Sequence, residues 1–92
     1  MRTVFTIEDE WHAELQGEFA TRALAMDELR RRTTIPWDRE PNLAPCTGWR
    51  TCGRQYHVLE YEAGADGALV LVRREPMLEV SAAGVRWLSE TA

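Results

Sequence analysis

The segment from Ile35 to Arg54, IPWDREPNLAPCTGWRTCGR, constrains the fold more than any other part of the chain. It contains two tryptophans, three prolines and both cysteines, and its apolar residues follow neither the helical nor the strand period. Side-chain contacts must therefore order it. Tryptophan buries a large area and its N–H needs a partner, so we expect this loop either to be pinned onto the core or to contact another molecule.

Length and composition predict one folded domain covering residues 1–92. Hydrophobic residues make up 45% of the chain and charged residues 28%, which argues against disorder because enough apolar surface is present to offset the ordering entropy. The formal net charge of −4 disfavours direct nucleic-acid binding, which needs basic groups to neutralise phosphates. No apolar run approaches the roughly 20 residues that span a bilayer, and the start MRTVFTIEDEW lacks a signal-peptide pattern. We therefore expect a cytoplasmic protein that does not enter membranes.

The first third of the chain predicts a hairpin followed by a helix. The stretch Arg2–Glu8 alternates apolar and polar residues, and residues 15–19 repeat that period, as half-buried strands do. Thr21 is a good helix N-cap, and Arg22–Arg32 has helical spacing with three arginines in its last turn, where the helix dipole favours cations. Pro36 disfavours helical geometry in the residue before it, so we expect the helix to end near residue 34.

The last third predicts further strands. Gln55–Glu62 alternates like a strand, Ala63–Gly67 has the glycines and the Asp-Gly step of a turn, and Leu69–Val72 is the returning strand. Met77–Val80 and Val85–Leu88 are compatible with one strand broken by a bulge, two short strands, or a strand and a final helical turn. We favour strands because valine and tryptophan suit a pleated surface.

The resulting order of elements, β-β-α-β-β-β, predicts an α+β fold with a single antiparallel sheet of four to five strands. One helix lies on one face of this sheet, and a long irregular loop precedes the third strand. A single helix leaves the other face uncovered, and that face is expected to carry some of Leu59, Tyr61, Leu69 and Leu71. Either the Trp37–Trp49 loop covers these residues, or they form a dimer interface.

The two cysteines, Cys46 and Cys52, precede His57 in the spacing C-x5-C-x4-H, and His12 is a candidate fourth zinc ligand. This spacing matches none of the common zinc patterns, so we predict no metal and no other cofactor. A disulfide closing the short loop is sterically feasible. Because the cytosol keeps thiols reduced, however, we expect two reduced and partly buried thiols.

Cys52 is also a candidate nucleophile. Arg50 and Arg54 flank it, and neighbouring cations favour the reactive thiolate. On one extended strand, however, Cys52 and His57 would point to opposite faces because an odd number of residues separates them. We therefore predict no catalytic residues and no enzymatic activity.

Five carboxylates within 11 residues, with no arginine among them, form the strongest charge feature. Crowded like charges cost stability, and a surface that keeps them often meets a basic partner. The alternative is a solvated hairpin edge whose charges discourage edge-to-edge pairing. With the aromatic loop added, the predicted partner-binding residues are Glu8, Asp9, Glu10, Glu14, Glu18, Trp37, Trp49 and Arg50.

The stretch Trp37 to Glu60 has the pattern W-x3-P-N-x2-P-C-x2-W-x2-C-G-R-x-Y-x3-E. This pattern resembles that of uncharacterised small proteins of GC-rich bacteria and their mobile elements. The order of elements and the ending Gly84–Trp87 also resemble small anti-CRISPR inhibitors, which are short, often acidic, and occupy surfaces on nucleic-acid-binding complexes. The resemblance implies a stoichiometric binder of bacterial or phage origin, and it transfers no functional residue.

Three hypotheses of function follow. The first is a non-enzymatic acidic interaction module that binds a protein partner with a basic surface, with an inhibitor of a nucleic-acid-handling complex as one specific form. The second is a thiol or zinc-stabilised redox or regulatory protein that uses Cys46, Cys52 and His57. The third is a structural homodimer.

Overall fold

The computed structural model describes residues 2–46 and 52–89. The elements are β1 Arg2–Asp9, β2 Glu14–Phe19, α1 Arg22–Arg32, β3 Gly53–Ala63, β4 Leu69–Ser81 and β5 Gly84–Trp87. All five strands belong to one antiparallel sheet in the order β2-β1-β3-β4-β5. The predicted α+β class, the single sheet and the order of elements are confirmed.

The second half of the sheet differs from the prediction in one respect. Leu69–Val72 and Met77–Val80 belong to one continuous 13-residue strand, β4, instead of two. The pairing with β3 skips Val72 and Met77, which are extra residues on β4. Such bulges let a strand bend without ending, and the alternation of side chains breaks at each of them. For that reason β4 reads as two strands in the sequence. The segment after it, β5, is a strand and not a helical turn.

Helix α1 has the bounds that the sequence predicts. Thr21 Oγ1 accepts a hydrogen bond from the backbone N–H of Leu24, which caps the first turn. The helix packs its buried residues Ala25, Met26 and Leu29 against one face of the sheet. The core that results also contains Ile7, Tyr56, Val58, Met77, Leu78 and Val80, with Phe5, Phe19 and Trp37 packed around it.

The long loop lies on the same side of the sheet as α1. Trp37 packs against the core, and Tyr56, whose side chain is part of that core, donates a hydrogen bond from Oη to Asn42 Oδ1 at 2.8 Å. The expectation that the loop covers the opposite face is therefore wrong for the described part of the loop. On that opposite face Leu59 is nonetheless fully buried, and Tyr61 donates a hydrogen bond to Glu8 across it.

Leu69, Val70, Leu71 and Val72, by contrast, remain about half exposed or more at the start of β4. The dimer hypothesis built on this apolar surface stays a prediction.

Candidate functional site

The five carboxylates of the first hairpin do not form one free acidic surface. Asp9 is completely buried, so it cannot contact a partner, and its assignment as a partner-binding residue is wrong. Glu10 pairs with Arg74 at 2.8 Å, and Glu14 is bonded to Arg54. The chain's own arginines therefore compensate much of the charge on which the prediction of a basic partner depended. Glu18 is exposed, so its side chain remains accessible to a partner.

Asp9 instead forms the centre of a buried polar cluster. Its Oδ1 accepts hydrogen bonds from the backbone N–H groups of Trp11 and Gln55, both at 3.1 Å. Its Oδ2 accepts one from Arg54 Nη1 at 2.9 Å and lies 2.6 Å from His12 Nδ1. Four polar contacts, one of them from the cationic guanidinium of Arg54, satisfy a carboxylate that has no access to solvent. This explains how the fold tolerates a buried charge.

Arg54 connects the sheet to the long loop. Besides Asp9 and Glu14, its guanidinium donates hydrogen bonds to the carbonyl oxygens of Asn42 at 3.2 Å and Leu43 at 2.6 Å. Burial acts to lower the pKa of Arg54, but the hydrogen bonds and charges of Glu14 and Asp9 outweigh it and raise the pKa. The side chain therefore stays charged and joins two carbonyl oxygens of the loop to one carboxylate on β1 and one on β2, using the fork geometry that only arginine offers.

Asn42 fixes the other end of the same loop. Its side chain is fully buried and donates from Nδ2 to the carbonyl oxygens of Arg32 at 2.9 Å and Ile35 at 2.8 Å. Its Oδ1 accepts the hydroxyl hydrogen bond of Tyr56. One amide thus joins the end of α1, the start of the loop and the core.

A disulfide joins Cys46 and Cys52, whose Cα atoms are 5.4 Å apart. The expectation of two reduced thiols is therefore wrong. It depended on an assumed compartment, whereas the loop brings the two residues within ordinary bridging distance. Cys46 is partly exposed and Cys52 is 1% exposed.

His12 lies beside this disulfide. Residues 10–13 form the turn between β1 and β2, and His12 Nδ1 contacts Asp9 while its Nε2 lies 3.4 Å from Cys46 Sγ. The sequence hypothesis placed His12 near the cysteines as a zinc ligand and missed its pairing with Asp9. Within residues 2–46 and 52–89, no group of three or more histidine, cysteine, aspartate and glutamate side chains could hold a metal ion.

His57 is not part of this arrangement. Its Nε2 lies 2.7 Å from Gln55 Oε1, and Arg74 Nη1 lies 3.4 Å from its Nδ1. Because a guanidinium has no lone pair to offer, Nδ1 acts as the acceptor, which leaves Nε2–H to donate to Gln55. Cys52 is bonded to Cys46, so the structure does not assemble Cys52 and His57 into a pair.

The environment of His57 predicts a pH-dependent stability. Burial lowers the pKa of His57 from its ordinary 6.5, while the charges of Glu10 and Arg74 act in opposite directions. The unfolded chain therefore binds a proton more readily than the fold does, and stability should fall as pH drops from about 6.5 towards the lower pKa of the folded state. Urea unfolding at pH 7.5 and pH 5.0 measures this loss.

A His57→Gln variant supplies the control, since glutamine does not titrate. The pKa values of Glu28, Glu75 and Glu79 are lowered from 4.5, because hydrogen bonds from arginine or glutamine outweigh burial, so most of their own loss of stability occurs below pH 5.0 and is shared by the variant. An equal loss of stability in the wild type and the variant between the two pH values would contradict the assignment.

Trp37 lines an apolar groove between the end of α1 and the β4–β5 hairpin. The groove has a volume of about 360 Å³. Its lining residues are Thr33, Thr34, Ile35, Pro36, Trp37, Val80, Ser81, Ala82, Gly84 and Val85. Trp37 is only partly exposed, so the core holds its ring in place as one wall of this groove. Trp49 and Arg50, the remaining predicted partner-binding residues, lie outside the described residues.

Strand β5 borders the groove and is the last strand of the sheet in the described part of the chain. Val85 pairs with Val80 and Trp87 pairs with Leu78, and the side chains of Val85 and Trp87 are 46% and 39% exposed. The backbone N–H of Leu88 donates to Met77 on β4. Because inward and outward backbone groups alternate along an antiparallel strand, those of residues 85 and 87 point away from β4.

A comparison of the chain with protein-family models found no match, and neither did comparisons with curated proteins and with solved structures. Among the described residues, no helix is long and apolar enough to cross a membrane.

Proposed function

We propose that this protein binds an extended, apolar segment of a protein partner along β5, with one partner side chain in the groove beside Trp37. The observation that carries the proposal is an apolar groove next to a strand edge that pairs with no further strand among residues 2–46 and 52–89. Peptides that add a strand to a sheet edge gain affinity from main-chain hydrogen bonds, and a groove that receives alternate side chains supplies selectivity.

The chemistry of the surface specifies the partner segment. On the side of β5 that faces the groove, Val85 and Trp87 offer apolar contact area, and Trp37 adds a ring that the core already holds in place. Such rings lose little conformational entropy on binding and dominate the energetics of interfaces. Arg86 pairs with Glu79 at 2.9 Å, and residues 85 and 86 alternate in direction, so this ion pair lies on the other face of β5. An apolar segment therefore fits better than a charged one.

The acidic hairpin has a smaller role here than in the sequence hypothesis. Glu10 and Glu14 already pair with arginines, so they add little attraction for a basic partner. Of the predicted partner-binding residues, the proposed interface includes Trp37. The other contacts to the partner come from β5. The more specific role of an inhibitor of a nucleic-acid-handling complex, and the cytoplasmic location, stay predictions.

A Val85→Lys substitution tests the proposal. The probe is a peptide selected against the immobilised protein from a library of random twelve-residue peptides. We expect the selected sequences to alternate apolar residues, and the variant to weaken binding of the chosen peptide at least about tenfold, since a charge would lie against its apolar side chain. Isothermal titration measures the affinity, and amide shifts in NMR spectra locate the contact.

The matched control is Val70→Lys, which places the same side chain at an exposed valine at the start of β4. This variant should bind the peptide as the wild type does. Failure to select any peptide, or equal weakening by both variants, would reject the site. A dimer in light scattering that dissociates only in Val85→Lys would assign β5 to a second copy and overturn the proposal.

A further inference from the structure

We propose that the Cys46–Cys52 disulfide is a reactive group that exchanges with thiols. In this proposal His12, held by Asp9, takes up a proton and stabilises the Cys46 thiolate. Its substrates would be small thiols or dithiols. This inference is independent of β5 and of any partner bound there. The observations that carry it are the line of contacts from Asp9 through His12 to Cys46 and the unequal exposure of the two cysteine residues.

The contacts of His12 determine the roles of its two ring nitrogens. Asp9 Oδ2 lies 2.6 Å from His12 Nδ1 and also accepts a hydrogen bond from Arg54 Nη1, so we assign it as the acceptor in both contacts. Nδ1–H is therefore the donor, and Nε2 is left facing Cys46 Sγ at 3.4 Å. A carboxylate, an imidazole and a sulfur in this order form the arrangement that thiol enzymes use to activate cysteine.

Unequal exposure determines which sulfur reacts. Cys52 is 1% exposed, whereas Cys46 is partly exposed, and the His12 side chain beside it is 19% exposed. The more exposed residue of the bridge, Cys46, is therefore the one that an external thiolate attacks. Thiol–disulfide exchange depends on such access as much as on the nucleophile.

The exchange needs two thiols and no other reactant. A thiolate RS⁻ attacks Cys46 Sγ and forms an R–S–S–Cys46 bond, while the electron pair of the Cys46–Cys52 bond leaves with Cys52 Sγ, which takes up the proton of the original thiol. A second thiolate attacks the R sulfur, forms R–S–S–R and releases Cys46 as a thiolate. Two electrons pass from two thiols to the protein, and the second proton goes to His12 Nε2.

His12 favours the reduced product. Once protonated at Nε2, the imidazolium lies next to the Cys46 thiolate, and the Asp9 carboxylate stabilises the positive charge from the other side of the ring. Because a neighbouring cation stabilises a thiolate, the reduced protein gains stability relative to the disulfide. A bridge with a purely structural role would have no use for this imidazole, and one that spans only six positions removes less chain entropy than a bridge that closes a longer loop.

A Cys52→Ser variant, which leaves Cys46 as a free thiol, tests the pairing. The measured quantity is the rate of Cys46 alkylation by iodoacetamide between pH 6 and pH 8. With His12 present we expect this rate to change little with pH, because the thiolate is already formed. Adding His12→Gln should make the rate at pH 6 fall at least about tenfold, since an unassisted thiol is protonated there. Adding His57→Gln, at the histidine that does not contact the disulfide, should change nothing.

A second measurement uses the unaltered protein. Glutathione at millimolar concentration should reduce the disulfide while circular dichroism shows the fold intact, with mass spectrometry counting the alkylated cysteines. Resistance of the native disulfide to glutathione would overturn the proposal. So would a Cys52→Ser protein whose alkylation rate rises tenfold per pH unit like that of a free cysteine, a result that does not depend on whether His12→Gln folds.

Discussion

An Arg54→Leu variant should have a free energy of unfolding about 3–5 kcal/mol lower than that of the wild type. Removing the guanidinium would leave the fully buried Asp9 carboxylate without a neighbouring arginine and would free the carbonyl oxygens of Asn42 and Leu43. A buried charge that loses its partner keeps its desolvation cost and loses the compensating attraction. Since a small domain has only about 5–15 kcal/mol of stability in total, this loss is a large fraction.

Urea unfolding followed by tryptophan fluorescence measures the change, with Arg86→Leu as the control. Arg86 also forms an ion pair, with Glu79, but its side chain is 71% exposed, so its loss should cost no more than about 1 kcal/mol. Arg54→Lys should fall between the two, because one ammonium keeps the charge but cannot reach all four acceptors. Similar losses in Arg54→Leu and Arg86→Leu would contradict the assignment of Arg54 as the link between sheet and loop.

The elements with local signals were predictable from the sequence. Thr21 at the N-cap and three arginines in the last turn fixed the helix bounds, and period-two alternation located β1 and most of β3. Strand β4 was divided in two because its extra residues, Val72 and Met77, break the alternation of side chains. A strand is predictable where the alternation of side chains continues from one residue to the next. A bulge breaks this alternation, so the sequence alone does not show that the strand continues beyond it.

The candidate site depended on contacts between residues far apart in the chain. Asp9 reads as one of five hairpin carboxylates, and only its pairing with Arg54, 45 positions later, shows that it is buried. His12 and Cys46 are 34 positions apart, so no local spacing announces their contact. One signal was available: Asp9 and His12 both fall between the two strands of the predicted hairpin, and residues three positions apart in a tight turn lie close together.

The irregular loop is the part of the fold that the sequence least explains, and Asn42 accounts for its order. An Asn42→Ala variant should lose about 2–4 kcal/mol of stability, because each buried polar group left without a partner costs about 1–3 kcal/mol. The groups concerned are the carbonyl oxygen of Ile35 and the hydroxyl of Tyr56, whereas the carbonyl oxygen of Arg32 keeps a hydrogen bond from the backbone N–H of Ile35. Without this amide, the end of α1 and the wall of the groove at Trp37 would lose their common attachment.

A double-mutant cycle separates this polar contact from general loss of packing. Tyr56→Phe removes the hydroxyl that donates to Asn42, so the double variant Asn42→Ala, Tyr56→Phe should be more stable than the sum of the two single losses predicts, by at least about 0.5 kcal/mol. Tyr61→Phe is the matched control, because Tyr61 donates to Glu8 on the opposite face and its cycle with Asn42 should be additive. Additivity in the Tyr56 cycle would mean that Asn42 orders the loop without the core hydroxyl.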